Sequence, residues 1–166
     1  MSSENAYERL ISLLDEQNAK YRMIDHAPEG RTEIVSPMRG NAVSQAAKCI
    51  IVMVKVGKKV TKYVLAVVPG DRRVDLNKVK ALLNGTYVAF ASADIAERLS
   101  ECVSGTILPF SFSADLELVV DPLLLENSEI YFNAARLDRS LELNTQNYLA
   151  IAKPRLESIA APPKEA

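Results

Sequence analysis

The run from Cys49 to Val56 constrains this chain most. It is almost continuously apolar and β-branched, broken only by Lys55. A strand with one wet face alternates apolar and polar residues. A continuous run has no polar face to offer to water and must be covered on both sides. Gly57-Lys58-Lys59 follows as a turn, and Tyr63 to Val68 reads as a second strand of the same kind. The pair predicts a hairpin at the centre of a sheet. A chain of 166 residues can bury such a sheet and is most simply one domain.

The flanking segments supply the layers. Tyr7, Leu10, Ile11 and Leu14 fall on one helical face, with Ser2, Ser3 or Asn5 as cap. Tyr21 to His26 reads as a strand closed by Ala27-Pro28-Glu29-Gly30, and Thr32 to Arg39 as a helix ended by Gly40. Asp75 and Ser92 cap two further helices, one stopped at Asn84-Gly85. Strands are expected at Val88–Phe90, Leu116–Val120, Ile130–Asn133 and Ser140–Leu143, and a helix at Thr145–Ala152 capped by Asn144 or Thr145. Strands outnumber helices and cluster as hairpins, so the fold class is α+β with a mixed sheet.

Several functions find no support. The net charge of −1 gives no overall attraction for nucleic acid, so any RNA contact must come from a local basic patch. Lys55, Lys58, Lys59 and Lys62 with Arg72-Arg73 form either such a rim or a solvated hairpin tip. There is no glycine-rich nucleotide fingerprint, no P-loop and no Cys/His metal spacing, so neither cofactor nor metal is expected. No apolar run approaches the ~20 residues that span a bilayer. The N-terminus lacks the regions of a signal peptide, so a cytoplasmic location is expected. Cys49 and Cys102 lie in apolar segments and read as reduced core thiols.

Three chemical groups stand out. His26, the single histidine, would have to serve any catalytic triad, yet its position suits an imidazole bonding backbone at a turn. Cys49 is open to reading as a nucleophile beside Lys48. Lys48 stands between Ala46-Ala47 and the apolar run. A charge at the mouth of a buried strand loses solvation and must meet an anion or a carbonyl, unless it snorkels to water. The loop from Gly105 to Pro109 is the natural counterpart, able to turn backbone groups toward a ligand.

Four segments carry a resemblance. They are Ala46-Ala47-Lys48-Cys49-Ile50-Ile51, Val67 to Leu76, Gly105-Thr106-Ile107-Leu108-Pro109-Phe110, and Ile130 to Ala135. In order and spacing the chain resembles the YbaK/prolyl-tRNA-synthetase-associated domain family of aminoacyl-tRNA deacylases, most nearly its YeaK branch. The resemblance implies one editing domain over residues 1–159, with a largely antiparallel, barrel-like core, and a flexible tail over 160–166. It implies a trans-editing hydrolase whose partner is the 3′ end of aminoacyl-tRNA, with a synthetase or elongation factor as a further partner and the protein a monomer. The catalytic lysine falls on Lys48, and the substrate-binding Gly-x-x-x-Pro loop on Gly105, Thr106 and Pro109, with backbone N–H groups near Thr106 as the oxyanion hole. Ser44, four residues before Lys48, is expected on the Lys48 face if that segment is helical, and Ile34 and Met38 as an amino-acid-facing wall. Ser44, Asn133 or Ser140 would bind a substrate hydroxyl, favouring serine and threonine, then alanine. The family's Asn-Ala-Gly pattern departs here to Asn133-Ala134-Ala135, which leaves open a positive φ at Ala135 and, with it, a non-catalytic module that binds tRNA or a synthetase.

Overall fold

The computed structural model describes residues 5–163. Helix α1 (Ala6–Glu16) begins where the Asn5 side chain accepts from the Glu8 amide at 2.8 Å. Ser2 and Ser3 lie outside the described residues. There follow β1 (Tyr21–Asp25), α2 (Thr32–Arg39), β2 (Ala47–Val56), β3 (Val60–Pro69), α3 (Leu76–Leu82), β4 (Tyr87–Phe90) and α4 (Ala93–Ser100). The chain continues through β5 (Leu116–Val120), β6 (Glu129–Asn133), β7 (Arg139–Asn144), α5 (Thr145–Ala152) and β8 (Arg155–Leu156). The caps foreseen at Asp75, Ser92 and Asn144 each accept a first-turn amide, and Gly40 ends α2 at φ 78°.

The strands form a five-stranded sheet, β4-β2-β3-β5-β8, and a three-stranded sheet, β1-β7-β6. β2 and β3 pair antiparallel along their whole length, from Ala47 opposite Pro69 to Val56 opposite Val60. β3–β5 and β5–β8 are parallel; every other pairing between named strands is antiparallel. This is the expected α+β domain with a mixed sheet. β8 and the partners of the parallel pairs are additions, because strands so distant in sequence leave no hairpin signal. A bridge between Ala46 and Tyr131 joins the two sheets, so β2 starts at their seam.

The continuous apolar run is explained by two cores. Ile51, Leu65 and Val67 face Leu10 and Leu14 of α1, Phe132, Leu141 and Leu143 of the smaller sheet, and Tyr148 of α5. Val52, Val54, Val64, Ala66 and Val68 face Val79 of α3 and Ile159. Each such side chain contributes about 1.5–3 kcal/mol of burial, so both faces of the hairpin are strongly committed.

The tail expected from residue 160 does not begin there. Ala160 is buried and bridges to Val74, and its amide and that of Ile159 donate to Asp121 Oδ2 at 2.8 and 2.9 Å. The Ala161 amide donates to the Arg73 carbonyl at 2.7 Å. Asp121 is itself buried, and that carboxylate is what holds the segment down.

Ala135 adopts a left-handed conformation, with φ 60°, at the position where the family pattern has glycine. An L-residue there carries strain of about 1 kcal/mol that glycine lacks. Ala135→Gly is therefore expected to raise Tm by ~2–4 °C in a chain of this size, read by thermal denaturation. A lowered Tm would mean that the methyl packing outweighs the strain.

Candidate active site

A cavity of about 330 Å³ lies at the seam of the two sheets. Small-molecule sites run from ~300 to 1,000 Å³, so the cavity is at the small end of that range. Its walls come from the start of β2 (Ala47 to Ile50), the N-terminal turn and one face of α2, Gly30, Gly105, Ile107, and the end of β6 (Phe132 and Asn133).

Lys48 sits on this wall, paired with Val68. Its Nζ donates to the Arg72 carbonyl at 3.4 Å, the carbonyl partner that burial at a strand mouth requires. That bond is long, so the ammonium keeps donors for a ligand.

Gly105 also lines the cavity. It has φ 88°, and a Cβ on it would lie 3.0 Å from the Gly30 Cα. A Cβ on Gly30 would lie 3.0 Å from the Gly105 Cα. Two backbones thus touch, and only a glycine pair permits it. The loop is anchored on either side of this contact. Ser104 donates its amide to Glu97, and the Pro109 carbonyl accepts from Tyr148 OH at 2.7 Å. Among the described residues the Gly105 and Ile107 amides have no protein acceptor, and these are the two loop residues that line the cavity.

Thr106 and Pro109 hold the loop and do not line the cavity. Thr106 is buried, and both its amide and its hydroxyl donate to the Val103 carbonyl, at 2.9 and 2.6 Å. Its own N–H is therefore spent, and the free amides are its two neighbours'.

The wall expected from Ile34 and Met38 is absent. Thr32, Val35 and Arg39, at i, i+3 and i+7, turn one face of α2 to the cavity. Ile34 and Met38 fall on the opposite face, and Met38 is exposed. Ser44 does not share a face with Lys48. It belongs to a short 3-10 turn (Val43–Gln45) and lines a separate hollow with Asp71, Arg72 and Asn127. Ser140 is wholly buried behind the wall, and Asn133 lines the cavity with both ends of its amide engaged. Asn133 Nδ2 donates to the Glu29 carbonyl at 2.8 Å, and its Oδ1 accepts from Arg39 and Ser140 at 3.2 and 3.0 Å.

Arg39, Gly30 and the α2 face were not legible as site residues, since nothing local separates them from an ordinary helix and turn. Arg39 is buried and hydrogen-bonds Asn41, Asn133, Ser140 and Ser36. Burial lowers its pKa to about 10. At the rim, the Arg31 guanidinium and amide clasp Glu29 and hold its carboxyl down to about 2. His26 bonds the Ala27 carbonyl through Nδ1 at 2.8 Å and Ser140 through Nε2 at 2.7 Å, the backbone role its position suggested. Cys49 lines the cavity, but burial pushes its thiol well above the ordinary range, first because the thiolate would be desolvated. Cys49 and Cys102 are both free thiols.

No helix among the described residues is long and apolar enough to cross a membrane. Residues 27–151 match the aminoacyl-tRNA editing domain family. The chain is 42% identical over 151 residues to the multifunctional Ser/Thr-tRNA deacylase ProXp-y of Escherichia coli K12, covering 90% of each. The same match is found in Escherichia coli O157:H7. The fold is shared with the crystal structure of a hypothetical protein, at TM-score 0.82 and 21% identity over 93% of this chain and 100% of that one. A proposed trans-editing enzyme for prolyl-tRNA synthetase has it too, at TM-score 0.76 and 19% identity over 97% and 100%. The chain belongs to the aminoacyl-tRNA editing domain family, and the cavity between Lys48 and the Gly105 loop lies inside the matched region.

Proposed function

We propose that this protein is a trans-editing hydrolase that deacylates mischarged aminoacyl-tRNA, serine and threonine esters first and alanine next. The observation that carries the reading is that Lys48 lines one cavity with Gly105 and Ile107, the two loop residues whose amides are unbonded. An aminoacyl ester is already activated, so positioned water and a stabilised oxyanion are enough. Water adds to the ester carbonyl and the π pair moves to oxygen. The tetrahedral species then collapses, expelling the ribose oxygen, which takes up the proton that the water lost. The two amides and the Lys48 ammonium are the donors for the oxyanion.

The Ser/Thr preference is supported by the substrate in the name of the 42% identical relative. Within the cavity it rests on Thr32, whose hydroxyl has no partner among the described residues. It takes the place of Ser44 and Ser140, which lie elsewhere, and of Asn133, which is fully engaged. Glu33, an exposed carboxylate on the same wall, suits the substrate α-ammonium. The partner is the acceptor end of aminoacyl-tRNA, met by a cytoplasmic monomer. With a net charge of −1, hand-over by a synthetase or elongation factor would aid binding.

Multiple-turnover release of serine from Ser-tRNA by the purified protein tests the reading. An ester lifetime that is unchanged or lengthened would make the protein a binding module. The same assay at physiological salt shows whether a further partner is needed. Cys49→Ala separates this chemistry from a thiol mechanism. Its rate is expected within ~3-fold of the parent, because a thiol held protonated is no nucleophile. Total loss of turnover in a folded Cys49→Ala would place the chemistry on sulfur.

A further inference from the structure

Arg39 is the only buried Lys or Arg among the described residues, and it has no carboxylate partner there. Its Nε donates to Asn41 Oδ1 at 3.1 Å, and Nη1 donates to Asn133 Oδ1 and Ser140 Oγ, each at 3.2 Å. Nη2 donates to Ser36 Oγ at 3.3 Å. All four acceptors are neutral. They occupy four of the five N–H groups of a guanidinium and leave one on Nη2. Hydrogen bonds of this kind orient a cation without neutralising it. Buried charges are ordinarily paired, so an unpaired one on a cavity wall marks a place where negative charge is to come. The lowered pKa, caused by desolvation, still leaves the group charged at neutral pH.

The ester that enters the cavity is neutral at its carbonyl, and its amino group is positive. Neither compensates Arg39 in the ground state. Negative charge arises only when water adds to the carbonyl. We propose that Arg39 is a preorganised positive charge in the cavity wall that stabilises this oxyanion. The proposal rests on the deacylase reading. It differs from the roles of Lys48 and the loop amides in that the charge is already desolvated and fixed by its four acceptors. The field it exerts needs no reorganisation during reaction, which is the condition for favouring the transition state over the substrate. A phosphate of the terminal nucleotide would be the alternative anion. It is present in the ground state, so a contact to it would be read in KM rather than in kcat.

The test compares the parent, Arg39→Gln and Arg39→Lys on Ser-tRNA, with folding checked by circular dichroism. Two inhibitors are titrated alongside: a phosphonate analogue of the seryl-adenosine ester, anionic at the carbonyl position, and its amide analogue, neutral at that position. For Arg39→Gln the expected result is a fall in kcat of ~100-fold with KM within ~3-fold. Phosphonate affinity should fall by a similar factor while amide affinity holds. Arg39→Lys, which keeps the charge, should recover ~10-fold or more of the lost kcat. An unchanged kcat would overturn the proposal. So would a rise in KM alone, which would assign Arg39 to phosphate, or equal loss of both inhibitors, which would make it structural. If Arg39→Gln does not fold, Asn41→Asp carries the same comparison by setting a carboxylate against Nε and neutralising the cation in place. A parent enzyme without turnover would instead overturn the deacylase reading itself.

Discussion

Lys48→Ala should lower kcat for ester hydrolysis by ~10²–10³-fold, the usual cost of removing one donor from a developing oxyanion. The fold should survive, because the side chain is only partly buried and its one hydrogen bond, to the Arg72 carbonyl, is 3.4 Å long. A thermal melt within ~2 °C of the parent is therefore expected beside the kinetic loss. The pairing of β2 with β3 does not depend on this side chain, since the strand is held by its backbone and by the apolar residues on either face. Turnover retained by the variant would move the chemistry away from Lys48, and the loop amides would have to act without it.

Gly105→Ala should be nearly as damaging for a different reason. The added methyl meets the Gly30 Cα at 3.0 Å, a backbone atom that cannot turn aside, and the residue must also hold φ 88°. Strain of this kind costs about 1–3 kcal/mol. The loop will relieve it by moving away from Gly30, and with it go the two unbonded amides of the residues that line the cavity. A displacement near 1 Å at such donors costs ~100-fold in rate. The expected result is a ~100-fold loss of kcat with a Tm lowered by several degrees. Gly30→Ala should act alike, because the contact is reciprocal. A Gly105→Ala protein with parental kcat would show that the loop backbone does not serve the reaction.

The elements were legible where their physics is local. The apolar run from Cys49 to Val56 announced a strand covered on both faces, and it is the strand that divides the two cores. The caps at Asn5, Asp75, Ser92 and Asn144 were readable because a side-chain acceptor at a helix start answers to the nearest amides alone. Lys48 and Gly105 were readable as a pair because each is locally anomalous, one a charge at a strand mouth and the other a glycine within an apolar loop.

What escaped was decided by tertiary contact. Helix α2 was placed correctly, but its inward face was not. Ile34 and Met38 are the more apolar residues, whereas packing turns Thr32, Val35 and Arg39 to the cavity. The expectation for Ser44 assumed a helix continuing to Lys48, and the bridge from Ala46 to Tyr131 imposes a strand there instead. Residues 160 and 161 looked loose because their anchors, Asp121 and Arg73, are remote in sequence. Ala135 shows the converse: a conformation that favours glycine is adopted by another residue, and the β6–β7 hairpin carries the strain.

A deacylation time course decides whether Lys48 carries ester hydrolysis in this protein. Purified protein is mixed with tRNAs carrying serine, threonine, alanine, cysteine or proline, with Lys48→Ala in parallel. Lys48-dependent release is expected, fastest for serine and threonine and slower for alanine. Release from no member of the panel, or equal release by parent and Lys48→Ala, would contradict it.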